Sequence, residues 1–104
     1  MNPYKQLHRN NYGVSFYCQC QKQVHLTFGN VALAQTKGEF DAFCNELKLL
    51  LAENQNICPY RKCLVLRTPV SKIALIFNLV EIKELLDLME NSKIALEIME
   101  LLQS

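Results

Sequence analysis

Between Val14 and Cys20 apolar side chains take every second position, Val14, Phe16, Cys18 and Cys20, with Ser15, Tyr17 and Gln19 between them. That alternation is the period of a strand with one covered face. It resumes in Val24, Leu26 and Phe28, separated by His25 and Thr27, and again in Val31-Ala32-Leu33-Ala34. Gly29-Asn30 between these two runs predicts a two-residue hairpin turn, because glycine enters positive φ without steric penalty. A loop of that length pairs Phe28 with Val31 and Leu26 with Leu33, which puts four apolar side chains on one face.

The period then lengthens. Phe40, Phe43, Cys44, Leu47, Leu50 and Leu51 fall on one helical stripe opposite Asp41, Lys48 and Glu53. Thr36 with Glu39 forms a capping-box signature at its start, and the helix is expected to end near Asn54. Gln55 to Lys62, with Pro59, reads as a loop. Leu64-Val65-Leu66 predicts a fourth strand, Thr68-Pro69-Val70-Ser71 a turn and Ile73 to Phe77 a fifth strand, apolar on both faces. Asn78 with Glu81 caps the next helix, whose stripe is Ile82, Leu85, Leu86 and Met89. Continuing that stripe reaches Ser92 and Lys93, whereas apolar residues resume at Ala95, Ile98, Met99 and Leu102. The phase slip predicts a break at Asn91-Ser92 and a short third helix.

The order β-β-β-α-β-β-α-α carries an internal echo. Val24 to Phe28 and Ile73 to Phe77 match at an offset of 49, and Thr36-Lys37-Gly38-Glu39 and Asn78-Leu79-Val80-Glu81 at an offset of 42. The expected architecture is a single α+β domain over 1–104, with pseudo-repeat halves of about 13–54 and 62–103. It has two layers: a mostly antiparallel sheet of about five strands, with two or three helices on one face.

Composition narrows the class. A chain of 104 residues, half of them apolar, can bury one core. Three glycines and three prolines leave no room for low-complexity linkers. The polar segment Met1 to Asn11 lacks the apolar stretch of a secretory signal, and no apolar run reaches the roughly 18 residues of a membrane span. Five cysteines cannot all pair within one chain, so reduced thiols and a cytoplasmic location are expected, with no membrane partner.

The net charge of +1 conceals a segregation. Residues 1–38 and 54–80 carry +4 each with no acid, whereas 39–53 carry −3 and 81–104 carry −4. The strand regions are basic and the helices acidic.

Three candidate sites follow. With the helices over Leu26 and Phe28, the open sheet face would present Tyr17, His25 and Arg67, with Arg61 and Lys62 nearby. A basic face with an aromatic is the kind of platform on which nucleic acids or anionic ligands settle; scattered surface charges are its bland counterpart. Val65, Ala74 and Ile76 make the fifth-strand end of that face apolar, a pattern that favours self-association or a protein partner. Cys18, Cys20, Cys58 and Cys63 offer four thiolates for zinc, the cofactor these residues would allow, although Cys18-Gln19-Cys20 departs from the usual ligand spacing. Plain burial of cysteine as a small hydrophobe is the alternative. Cys44 sits in an apolar stripe and reads as core. The acids Glu81, Glu84, Asp87 and Glu90 form a solvated helix face. No nucleotide-binding loop, metalloprotease helix or nucleophile elbow is present.

Cys18-Gln19-Cys20 through Phe28-Gly29-Asn30 to the Glu39-Phe40 helix, with the Leu75-Ile76-Phe77 strand and its Glu81 helix, resembles small uncharacterised bacterial proteins of a domain-of-unknown-function type. The resemblance covers most of the chain and implies a compact protein; it brings no activity, cofactor or catalytic residue. The residues themselves favour a non-enzymatic interaction module working through the sheet face. Nucleic-acid or anionic-ligand binding and a zinc-stabilised domain are the alternatives.

Overall fold

A meander of four strands forms because each strand reaches its antiparallel neighbour through a short turn. The computed structural model describes residues 3–67 and 72–103; the expected turn Thr68-Pro69-Val70-Ser71 lies outside the described residues. Strands β1 (Tyr4–Arg9), β2 (Gly13–Cys18), β3 (Gln23–Phe28) and β4 (Val31–Thr36) pair in sequence order. Helix α1 (Lys37–Glu53) follows. A separate hairpin, β5 (Leu64–Arg67) with β6 (Ala74–Phe77), leads into helix α2 (Leu79–Gln103).

The β3–β4 hairpin has the register the turn predicts, with Phe28 opposite Val31 and Leu26 opposite Leu33. Gly29 sits at φ +55° and Asn30 does not share that region, the pattern of a type II′ turn. Both helix starts carry reciprocal capping boxes. Thr36 Oγ1 accepts from the Glu39 amide at 3.2 Å while Glu39 Oε1 accepts from the Thr36 amide at 2.9 Å. Asn78 Oδ1 and Glu81 do the same at 2.7 and 2.9 Å. At the offset of 42 a hairpin precedes a capped helix in both halves. The offset of 49 sets β3, the first strand of its hairpin, against β6, the second of the other.

The fold differs from expectation in three ways. There are six strands among the described residues, four in one sheet and two in another, where one sheet of about five was expected. The additional strand is β1, whose polar sequence Tyr4-Lys5-Gln6-Leu7-His8-Arg9 belongs to an edge; a bulge between Gln6 and His8 breaks the alternation that would have marked it. Second, β2 has the opposite phase. Gly13, Ser15 and Tyr17 lie across from Phe28, Leu26 and Val24, on the face the helices cover, and Val14, Phe16 and Cys18 point the other way. Third, α2 runs unbroken past Asn91-Ser92, so the described residues hold two helices. Ser92 continues the buried stripe through Ile82, Leu85, Met89, Ser92 and Leu96.

Packing orders the helix layer. Helix α2 lies over β1 and β2, and α1 over β3 and β4. Three cross-helix ion pairs, Lys37 with Glu100, Asp41 with Lys93 and Lys48 with Glu90, show that the helices run antiparallel. All six side chains are about half exposed, so these pairs set register more than stability. The stability resides beneath them. Leu26, Phe40, Leu47, Ile82, Leu85, Leu88 and Met89 are fully buried, each contributing roughly 1.5–3 kcal/mol of transfer free energy.

Candidate interaction surface

A two-stranded hairpin is marginal by itself in water, so β5–β6 must be held by whatever it packs against. Its inward side chains Leu64, Leu66 and Phe77 join the common core. Phe77 meets Phe28 edge-on at 6.1 Å between ring centroids, and Tyr12 stacks on Phe28 from the β1–β2 turn. The loop before the hairpin is tied to the start of α2: the Val80 amide donates to Pro59 O at 3.3 Å, and Lys62 pairs with Glu81 at 3.3 Å.

The other side of the hairpin is apolar and open. Val65 stands directly opposite Ile76, and Arg67 opposite Ala74. Val65 is 45% and Ile76 54% exposed. The three residues singled out for self-association, Val65, Ala74 and Ile76, thus share one outward face.

Beside the hairpin runs a groove of about 370 Å³ between β4, α1 and β5–β6. Leu33, Phe43, Leu66 and Leu75 line it, with Glu39 and Glu46 on the α1 wall and Arg67 on the hairpin wall. It exists because cover runs out at the sheet edge. The inward residues of β3, Val24, Leu26 and Phe28, are buried, but those of β4, Val31, Leu33 and Gln35, are half-buried.

The basic platform expected on one sheet face is not assembled. Tyr17 is 9% exposed on the covered face, with the Lys37 ammonium 5.9 Å from its ring centroid. His25 lies on the open face of the four-stranded sheet, edge-on to Tyr4 and hydrogen-bonded to Gln21. Arg67 belongs to the other sheet, and Arg61 and Lys62 to the loop before it, where Lys62 already has Glu81. The five residues are split because the phase of β2 is inverted and the hairpin does not join the main sheet.

The cysteines are split too. Cys18 and Cys44 are buried in β2 and α1, whereas Cys20, Cys58 and Cys63 are exposed in turns and loops, and all five are free thiols. Among the described residues, no three or more His, Cys, Asp or Glu side chains come together to hold a metal ion. The structure thus does not gather Cys18, Cys20, Cys58 and Cys63 into one ligand set. Spacing along the chain had paired Cys18 with Cys20, but only Cys18 belongs to the strand, and it is shielded while Cys20 faces solvent.

A further apolar surface escaped the sequence reading. Helix α2 exposes Ile94, Ile98 and Leu101 at helical spacing, and Leu96 is the side chain that turns inward. With the stripe continuing through Ser92, Ile98 and Leu102 face outward instead of into the core. No helix among the described residues is long and apolar enough to cross a membrane.

A family model described as a family of unknown function, DUF6686, matches residues 1–104. No curated protein and no solved structure matches the chain.

Proposed function

We propose that this chain, which belongs to the family of unknown function DUF6686, is a non-enzymatic protein-interaction module that self-associates through the outward face of the β5–β6 hairpin. The observation that carries this reading is the Val65–Ile76 pair, two large aliphatic side chains directly opposite each other on a small hairpin and about half exposed. Scattered single apolar residues on a surface need no explanation, but an aligned cross-strand pair beside Ala74 forms a patch whose burial is favourable.

A second copy suits this face. A two-fold arrangement requires the patch to complement itself. Val65 and Ile76 would meet their own counterparts, and the one charge on the face, Arg67, stands next to Ala74 and not beside another cation. The face spans two strands of four residues each. That is well below the roughly 800 Å² per partner of a stable complex, so the dimer is expected to be weak and concentration-dependent.

Sedimentation equilibrium tests the proposal. The native chain should show a monomer–dimer equilibrium at about tens of micromolar, and Val65→Glu with Ile76→Glu should leave a folded monomer. A native chain that stays strictly monomeric over that range overturns it.

A further inference from the structure

The two edges of the four-stranded sheet are built differently. Edge strand β1 carries Lys5, His8 and Arg9 and a bulge between Gln6 and His8, the devices that discourage another strand from pairing there. Edge strand β4, Val31-Ala32-Leu33-Ala34-Gln35-Thr36, carries no charge and no proline, and its register against β3 is regular throughout. Among the described residues β3 is its strand neighbour, and β5–β6 pairs with itself.

The register says which backbone groups face outward. Phe28 and Val31 close a two-residue turn, so they form a pair that exchanges both hydrogen bonds, and such pairs alternate with non-bonded ones along the ladder. The groups of Val31, Leu33 and Gln35 therefore face β3, and those of Ala32, Ala34 and Thr36 face away from it. The Thr36 amide bears this out, since it donates to Glu39 Oε1. Ala32 and Ala34 remain directed from the edge, flanked by side chains too small to shield them.

The groove lies on the same side. A strand laid along β4 would send every second side chain toward Leu33, Phe43, Leu66 and Leu75. Its volume, about 370 Å³, suits a few aliphatic side chains from one extended segment. A second copy would arrive with its own α1 packed over β4. Charge adds a direction: Glu39 and Glu46 on the α1 wall favour a cation in the occupant, and Arg67 on the opposite wall favours an acidic or polar end.

We propose that the free edge of β4 and its groove take an extended segment of another protein by strand addition, with apolar residues alternating into the groove and a basic residue beside Glu46. Of the groove's lining residues only Arg67 also belongs to the outward hairpin face, so strand addition along β4 does not require that two copies meet through the hairpin.

The test uses the full chain and a labelled, end-capped peptide of roughly eight residues, alternating valine with threonine and carrying one lysine. Fluorescence anisotropy should show saturable binding, and hydrogen exchange should slow at the Ala32 and Ala34 amides. Ala34→Pro removes an outward amide at an edge where proline is tolerated, so the fold should persist while binding weakens by about tenfold. Glu46→Lys should weaken the lysine peptide and strengthen its glutamate counterpart, an exchange of preference that a purely structural role for Glu46 would not produce. Absence of saturable binding at about millimolar peptide, or binding indifferent to both substitutions, overturns the proposal. So does protection of Ala32 and Ala34 that grows with protein concentration in the absence of peptide, since a second copy would then occupy the edge.

Discussion

The hydroxyls of Ser15 and Ser92 lie 2.5 Å apart, one on β2 and the other on α2, and both residues are fully buried. Each hydroxyl has a backbone partner as well. Ser92 Oγ donates to the Leu88 carbonyl at 2.5 Å, and Ser15 Oγ accepts from the His8 amide at 3.2 Å and lies 3.4 Å from the His8 carbonyl, to which it can donate. A buried hydroxyl network thus runs from edge strand β1 through β2 into the middle of α2. Every polar atom in it is satisfied, which is the condition for burying one at all.

Breaking that network should cost more than two isolated hydroxyls would. Ser92→Ala leaves the Ser15 hydroxyl only the longer contact to the His8 carbonyl, and Ser15→Ala leaves both Ser92 and the His8 amide short of a partner. Each single variant should lose about 1–3 kcal/mol in urea denaturation, and the double variant less than the sum of the two. Strictly additive losses would show that the hydroxyls are not coupled.

The same pair explains why part of this fold could not be read along the chain. Local signals were sufficient where the deciding partners are close: Gly29-Asn30 set the β3–β4 register, and Thr36 with Glu39 and Asn78 with Glu81 marked both helix starts. Ser15 and Ser92 are 77 residues apart. Read locally, a serine on a strand belongs outside and a serine on a helix stripe breaks it, and both inferences reverse once each satisfies the other. The face of β2, the continuity of α2 and the position of Tyr17 all go with that contact. The outward hairpin face was legible because Val65 and Ile76 alternate within short strands. The β4 edge and its groove were not, because they arise from where the sheet stops, and strand order is a non-local property.

Gly13 has a steric role that its sequence context does not announce. A Cβ built there would stand 2.0 Å from the Thr27 carbonyl oxygen and 3.0 Å from the Phe28 Cα, both backbone atoms that cannot rotate aside. Its neighbours are fixed as well: the Asn10 side-chain oxygen accepts from the Tyr12 and Gly13 amides, while its Nδ2 donates to the Glu84 carbonyl of α2 at 3.0 Å. Gly13→Ala should therefore force β2 and β3 apart and lose about 3 kcal/mol or more. Gly38→Ala, where nothing lies within 4 Å, should be neutral or slightly stabilising in the same helix-favouring direction. Parallel urea denaturation of the two variants checks the contrast, and equal midpoints would refute the steric role.

The thiols should divide into two classes. Cys20, Cys58 and Cys63 are exposed and Cys18 and Cys44 buried, so brief alkylation of the native chain should modify three sites and full unfolding all five, as read by mass spectrometry. A chelator should leave that pattern unchanged, since no thiolate cluster awaits a metal among the described residues. Cys44 also carries a pH dependence. Burial pushes its thiol above the ordinary value of 9.0; Glu90 and Asp41 act in the same sense, and Lys48 and Lys93 oppose them. The unfolded thiol ionises first as pH rises, so above that value the folded state binds more protons and stability falls with further increase. Below it the contribution is fully present. The stability gap between the native chain and Cys44→Ala, followed by urea denaturation, should accordingly be constant up to about pH 8 and narrow on the alkaline side. A gap that widens toward high pH would mean that the Cys44 site stabilises the thiolate instead of the thiol.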